Sequence, residues 1–384
     1  MSYQNYEERI IQYRRHLHAH PELSFQEYET AKYIREILET MENCEVIHLT
    51  ETGTVGVFNK GQGKKVGLRA DIDALPIEEE RTEFDFVSQN KGVMHACGHD
   101  GHTAILLGAA HYINEHIDEF PNEIHCIFQH AEELIPGGAR EMVATGHFDD
   151  FDFIYGHHLM ALLEEGLIDI KEGAASANSD VYQIIIQGRG GHASQPHVNI
   201  DPVLIGSQYI TNLQQIVSRQ IDPFMPAVIS NTVFQGGQLA SANVIPDKVT
   251  LGGSVRTTTV ETRELIKRNM EKQLKNLCEG VGANYTFNYT DGYDAVINDP
   301  DKTEFVRSIA ENLYPGKVVR ELPMMGGEDF SAFSNKVPSF YAFIGTGRKE
   351  GEYDVAHHHP RFALNEDAFE IGYNLFIEVA KEYR

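Results

Sequence analysis

The chain is poor in several things, and each shortage excludes a class of protein. Of 384 residues only four are cysteine, namely Cys44, Cys97, Cys126 and Cys278, and they lie far apart. That spacing excludes a disulfide framework and fits a reducing, cytoplasmic setting. Basic residues are scarce, with 32 Lys and Arg against 57 Asp and Glu, a formal net charge of −25. So acidic a surface repels phosphate backbones, which argues against a nucleic-acid partner. There is no apolar run of the roughly 18 residues that a membrane span needs. Residues 1–8 are polar and acidic, without the basic and apolar regions of a secretory signal. No internal repeat or low-complexity linker interrupts the chain. Gly188-Arg189-Gly190-Gly191 lacks the Gly-Lys-Ser/Thr end of a phosphate loop.

Histidine is what the chain has in quantity. There are 19, many clustered at 16–20, 95–102, 157–158 and 357–359, a pattern that points to metal chemistry. The densest stretch is Met94-His95-Ala96-Cys97-Gly98-His99-Asp100-Gly101-His102. Cys97 and His99 are two apart, so an extended segment aims both at one face. A thiolate beside an imidazole suits a borderline metal such as zinc better than magnesium or calcium. Glycines here let the backbone turn tightly enough for both to reach one centre.

A length of 384 residues exceeds one ordinary core and predicts two domains. The spacing of Tyr6, Ile10, Ile11, Tyr13 and Leu17 predicts a helix over 5–19. His20-Pro21 ends it, and Ser24 is expected to cap a second helix through Tyr28, Ala31, Ile34 and Ile37. Strands are expected at 54–59, 65–70, 124–129, 151–155 and 339–344, and helices at 104–113, 303–313 and 366–382. Strands alternating with helices predict an α/β domain whose mostly parallel sheet has helices on both faces. Between residues 178 and 292 the order changes to strand, helix, two strands, helix, strand. That βαββαβ order is ferredoxin-like. The reading is one discontinuous domain, 1–177 and 293–384, interrupted by an inserted α+β domain at 178–292.

Strand ends and loops present Asp71/Asp73, Cys97/His99, Glu132/Glu133, His157/His158 and the cluster His357/His358/His359. One such group is easily a satisfied polar residue. Five on one scaffold are a site. They exceed the four ligands of a closed structural zinc and suit two metals that share a bridging ligand. Glu132-Glu133 is the most telling pair. Adjacent carboxylates repel, so a pocket holds both ionised only beside a cation. One then binds metal while the other deprotonates water. A solvated acidic turn is the plainer reading, but the strand before the pair and the turn after it favour catalysis.

In these stretches the sequence resembles the M20 metallopeptidases, specifically the amidohydrolase branch with hippurate hydrolase, auxin–amino-acid conjugate hydrolases and N-acetyl-diaminopimelate deacetylase. The resemblance covers nearly the whole chain. It is carried by residues 15–23 (RHLHAHPEL), 68–76 (LRADIDALP), 94–102 (MHACGHDGH), Glu132-Glu133, 190–197 (GGHASQPH), 243–246 (NVIP), 327–330 (GEDF) and 358–362 (HHPRF). It implies a zinc-peptidase-like catalytic domain with an inserted lid and dimerisation domain. It also implies two divalent metals, manganese or zinc with nickel or cobalt as further candidates, held by Cys97, His99, Glu133, His158 and His358. Glu132 is then the general base, and Asp73 orients a ligand from behind. We partition the set with Cys97 bridging, His99 and His158 on one metal, and Glu133 and His358 on the other. His192, Asn243 and Arg256 are expected to polarise the scissile carbonyl or hold the substrate carboxylate. Three departures stand out: His130 where the branch has Pro, His157 beside His158, and His357 and His359 around His358.

The expected activity is cleavage of N-acyl amino acids by metal-activated water in a homodimer. The same family also allows a dipeptidase, an aminopeptidase or a diaminopimelate deacetylase. Two other classes compete. A cysteine hydrolase with Cys97 as nucleophile leaves Glu132-Glu133 without a role. A non-catalytic metal-binding protein would have lost Glu132, His192 or Arg256 first, and all are present.

Overall fold

Seven consecutive buried residues, Glu123–Gln129, lie at the centre of the larger sheet. A strand buried along its whole length belongs to a sheet covered on both faces. The computed structural model describes residues 3–320, 324–347 and 355–384. It divides into two compact units. The first comprises Met1–Ala175, Val296–Leu322 and Asp329–Arg384, and the second comprises Ser176–Ala295 and Pro323–Glu328.

In the first unit we name β1 (Cys44–His48), β2 (Thr54–Phe58), β3 (Lys65–Asp71), β4 (Glu123–Gln129), β5 (Phe153–Glu164) and β6 (Ile168–Asp169). With the strands Ser339–Gly347 and Val318–Val319 they form one sheet. Its order is β1, β2, β4, β3, β5, Ser339–Gly347, β6, Val318–Val319. Its four central neighbours run parallel, while β1, β2 and β4 pair antiparallel. The sheet is therefore mostly parallel at its middle. Its central strands open their carboxyl ends toward one edge, where open α/β sheets keep their sites.

Helices α1 (Tyr3–Ala19), α2 (Tyr28–Glu39) and α3 (His99–Glu115), with the last helix, Phe369–Glu382, add their apolar faces to the first unit's core. α3 is buried almost throughout, because its sequence is apolar on every side from Ala104 to Ala110. α2 has no side-chain cap. Ser24 does not cap it: its hydroxyl donates to Asp73 Oδ2 at 2.7 Å.

The second unit has strands Asn178–Gln187, Ala227–Gln235, Lys248–Thr257 and Asn284–Tyr293, with helices Pro202–Gln220 and Val260–Glu279. Its all-antiparallel sheet places the second strand beside the third, the third beside the first, and the first beside the fourth. That is the ferredoxin-like arrangement. Alternate residues of its first strand, Tyr182, Ile184 and Ile186, are buried against Tyr209, Leu213, Ile266, Met270 and Leu274 of the helices. Each helix starts at a side-chain cap, Asp201 for one and Thr259 for the other.

Candidate active site

Cys97 and His99 meet, but not by extension. His99 is the first residue of α3, and Gly98 before it sits in the left-handed region at φ 97°. Glycine is the residue that accepts this turn without a Cβ penalty. The turn folds His99 back beside Cys97, so the period-two argument fails while the pairing stands. His158 arrives from β5, which continues through His157 and His158 to Glu164 instead of ending before them. His158 Nδ1 bonds the Leu159 carbonyl at 2.9 Å and turns Nε2 to within 3.4 Å of Cys97 Sγ. Cys97, His99 and His158 form one cluster with ligand atoms within 4.8 Å of one another, and Cys97, Glu133 and His358 form another.

Behind these atoms lies a scaffold of carboxylates. Asp73 Oδ1 is 3.1 Å from His99 Nδ1, while its Oδ2 accepts the Ser24 hydroxyl and, at 3.0 Å, the Glu133 backbone N–H. One carboxylate thus orients an imidazole and the backbone of Glu133 together. Asp71 takes His102 Nδ1 at 2.6 Å, and Leu159 N–H donates to His102 Nε2 at 2.9 Å. Both His102 nitrogens are occupied, so His102 is a strut and not a ligand. Arg69, buried beneath, donates to Asp71, Gln129 and Asp329.

The electrostatics call for a cation. Burial, then the charges of Glu133 and Glu132, push the Cys97 thiol well above its ordinary range. Burial works against a charged His99, yet Asp71, Asp73 and Glu133 carry it up to about 10. Burial pushes His158 well below its ordinary value. His99 Nε2 is buried and makes no hydrogen bond; Asp71 Oδ2 stands 3.7 Å away, beyond hydrogen-bond reach. Glu133 Oε1 lies 3.2 Å from His358 Nε2 but makes no hydrogen bond to it. An orphaned imidazole nitrogen, a carboxylate oxygen without a hydrogen bond and a thiol that cannot ionise alone fit a soft-to-borderline divalent metal. The raised thiol also argues against Cys97 as a nucleophile, which needs a lowered pKa.

Glu132 is buried, and its carboxylate clusters with Glu133 and His99 within 4.8 Å. The flanking histidines separate by partner. His157 faces the opposite side of β5 and packs on Phe376, ring centroids 4.4 Å apart. His357 Nε2 donates to the Leu159 carbonyl at 2.9 Å. His359 Nδ1 accepts the Arg361 N–H at 3.0 Å. His130 Nε2 lies 3.0 Å from Glu141 Oε2 on the helix Gly138–Ala144.

His192, Asn243 and Arg256 belong to the second unit. His192 pairs with Val244 in a two-stranded ribbon, and the Ala193 N–H donates to the Asn243 carbonyl at 2.9 Å, so His192 and Asn243 are neighbours. The Ser194 N–H donates to His192 Nδ1 at 3.2 Å, which leaves the hydrogen on Nε2, exposed and ready to donate. Arg256 is half-buried on the strand Lys248–Thr257, between Val228 and Ser179.

The family model described as Peptidase family M20/M25/M40 matches residues 67–382. The chain is similar to an N-acyl-L-amino acid amidohydrolase of Geobacillus stearothermophilus, 48% identical over 75% of this chain and 78% of that protein. It is similar to an N-acetylcysteine deacetylase of Bacillus subtilis, 39% identical over 97% and 96%. Among solved structures it resembles a dinuclear metal-binding peptidase of the M20 family from Bacillus subtilis. The TM-score is 0.85 at 35% identity, covering 99% of this chain and 98% of that one.

Proposed function

The chain belongs to the M20/M25/M40 peptidase family, and from that membership we propose that it is a metal-dependent amidohydrolase that cleaves N-acyl amino acids. One observation carries the reading: Cys97 is common to two clusters of potential ligands, one with His99 and His158, the other with Glu133 and His358. One residue common to two such sets would suit a pair of metals held side by side. Two divalent ions, zinc or manganese, would supply Lewis-acid chemistry when bound, acidifying water and polarising the amide carbonyl.

The chain's own residues do the rest. Glu132 takes a proton from the attacking water at its carboxylate and returns it to the departing amide nitrogen. Asp73 keeps His99 and the Glu133 backbone in register while that happens. His192 Nε2–H donates to the carbonyl oxygen as it gains charge. Arg256 holds the carboxylate of the amino-acid portion, with Asn243 beside His192 as a further donor. We further propose that the protein is cytoplasmic and a homodimer; light scattering of the purified protein checks the dimer.

Glu132→Gln is the decisive variant. It keeps the shape and cannot accept the proton. Metal content should stay at the wild-type level while turnover of N-acyl amino acids falls by roughly two to four orders of magnitude. Loss of metal instead would exchange the roles of Glu132 and Glu133. Unchanged turnover would remove both from the mechanism.

A further inference from the structure

Glu27 has no place in the chemistry above, yet it is fully buried among the groups that carry it. It stands at the N-cap position of α2 but makes no capping bond to that helix. An Asp at an N-cap ordinarily turns back on the first amides of its own helix, whereas the longer Glu is free to reach elsewhere. This one reaches 104 residues along the chain: Oε1 accepts the Ala131 N–H at 2.8 Å. The same oxygen accepts the Phe25 N–H at 3.0 Å, and Oε2 accepts the Thr52 hydroxyl at 3.0 Å.

Both amides on Oε1 belong to residues in the left-handed region, Phe25 at φ 63° and Ala131 at φ 50°. A residue with a Cβ rests there only when its surroundings hold it. Ala131 immediately precedes Glu132. On the other side of Glu132, the Glu133 N–H is held by Asp73. The amides flanking Glu132 are therefore each bound by a different buried carboxylate. The Ala131 carbonyl is also taken, by the Gly138 N–H at 3.0 Å.

We propose that Glu27 is a positioning residue for Glu132: its carboxylate fixes the left-handed turn at Ala131 and so aims the Glu132 side chain. This rests on the reading of Glu132 as the base. Reach is the property that matters. Asp at this position is one methylene too short to hold Ala131. Gln has the same reach, with an oxygen to accept the Ala131 N–H and an amide to donate to Thr52. A role for Glu27 through its charge predicts the reverse order.

The test compares Glu27→Asp, Glu27→Gln and Glu27→Leu with Glu132→Gln, each loaded with metal. Metal per subunit, KM and kcat are measured on folded protein. The proposal expects two metals retained and KM little changed in Glu27→Asp, with kcat reduced about 10- to 100-fold, the usual effect of misplacing a catalytic group by about an ångström. Glu27→Gln should keep most of the wild-type kcat. If Glu27→Leu fails to fold, the Asp and Gln pair still carries the test. Wild-type kcat in Glu27→Asp, a loss accounted for by lost metal, or activity in Asp but not in Gln would each overturn the proposal. If Glu132→Gln itself turns over normally, it is the functional reading that fails, and that result is separate from any of these.

Discussion

A single carboxylate, Asp73, shows how the site is held. It receives three donors: the Ser24 hydroxyl, the Glu133 N–H and His99 Nδ1. An Asp73→Asn change leaves one acceptor oxygen for three donors. Metal affinity should fall about 10- to 100-fold, the usual cost of losing a group that orients a ligand, as read by competition with a chelating dye. Unchanged affinity would mean that His99 is held by the Asp73 backbone carbonyl, which also lies within 2.9 Å of Nδ1. At this scale the sequence was legible where chemistry is written in residue type. Cys97, His99, Glu132, Glu133, His158 and His358 stand out by residue type, and the structure gathers them into shared clusters. The supporting contacts do not stand out. Ser24 looked like a helix cap and serves Asp73, 49 residues away. His102 had no assigned role, and its nitrogens face Asp71 and the Leu159 N–H, contacts that the local sequence does not encode. Glu27 carried no signal at all, because its partner is 104 residues distant.

Among elements, the start of α3 sets the distance between Cys97 and His99. A Cβ at residue 98 would be strained at φ 97° and would lie 3.2 Å from Leu364 Cδ1. Gly98→Ala should therefore release metal while leaving the rest of α3 helical. Metal analysis alongside circular dichroism checks both halves, and full metal content would show that another route brings the two ligands together. Helices were legible from their apolar spacing, and the parallel strands from short apolar runs. β1 was not, since its five residues are mostly half-exposed and no strand was expected there. Pairs such as Ile168–Asp169 with Val318–Val319 are strands only because a neighbour is there to bond, and no local pattern encodes them. The true length of β5 was hidden by its two histidines, which look like an end and lie within the strand.

For the whole molecule, acid is the condition that tests the fold. Burial holds His111 and His125 down to about 4, from an ordinary 6.5. In the unfolded chain each takes a proton as the pH drops below 6.5; in the folded chain neither does until about 4. Unfolding therefore binds protons across that window, and stability falls as the pH falls through it. The thermal midpoint of metal-free protein should drop between pH 6.5 and 4, with a shallower slope in His125→Gln. A midpoint that rises on acidification would contradict the burial argument. The broad fold was legible at this scale because alternating strands and helices, interrupted by a βαββαβ run, admit few arrangements.

The order of the sheet has a consequence for how the chain is made. β5 lies between β3, which is translated before it, and Ser339–Gly347, which leaves the ribosome 175 residues after Glu164 (339 − 164). At about 5–20 residues per second, one edge of a central, apolar strand waits roughly 9–35 seconds for its neighbour. His358 emerges later still. The nascent chain thus carries an open, sticky edge through the synthesis of the whole second unit, and an incomplete set of the proposed ligands beyond that. A ribosome that stalls in this interval would leave a fragment suited to aggregation and incapable of hydrolysis.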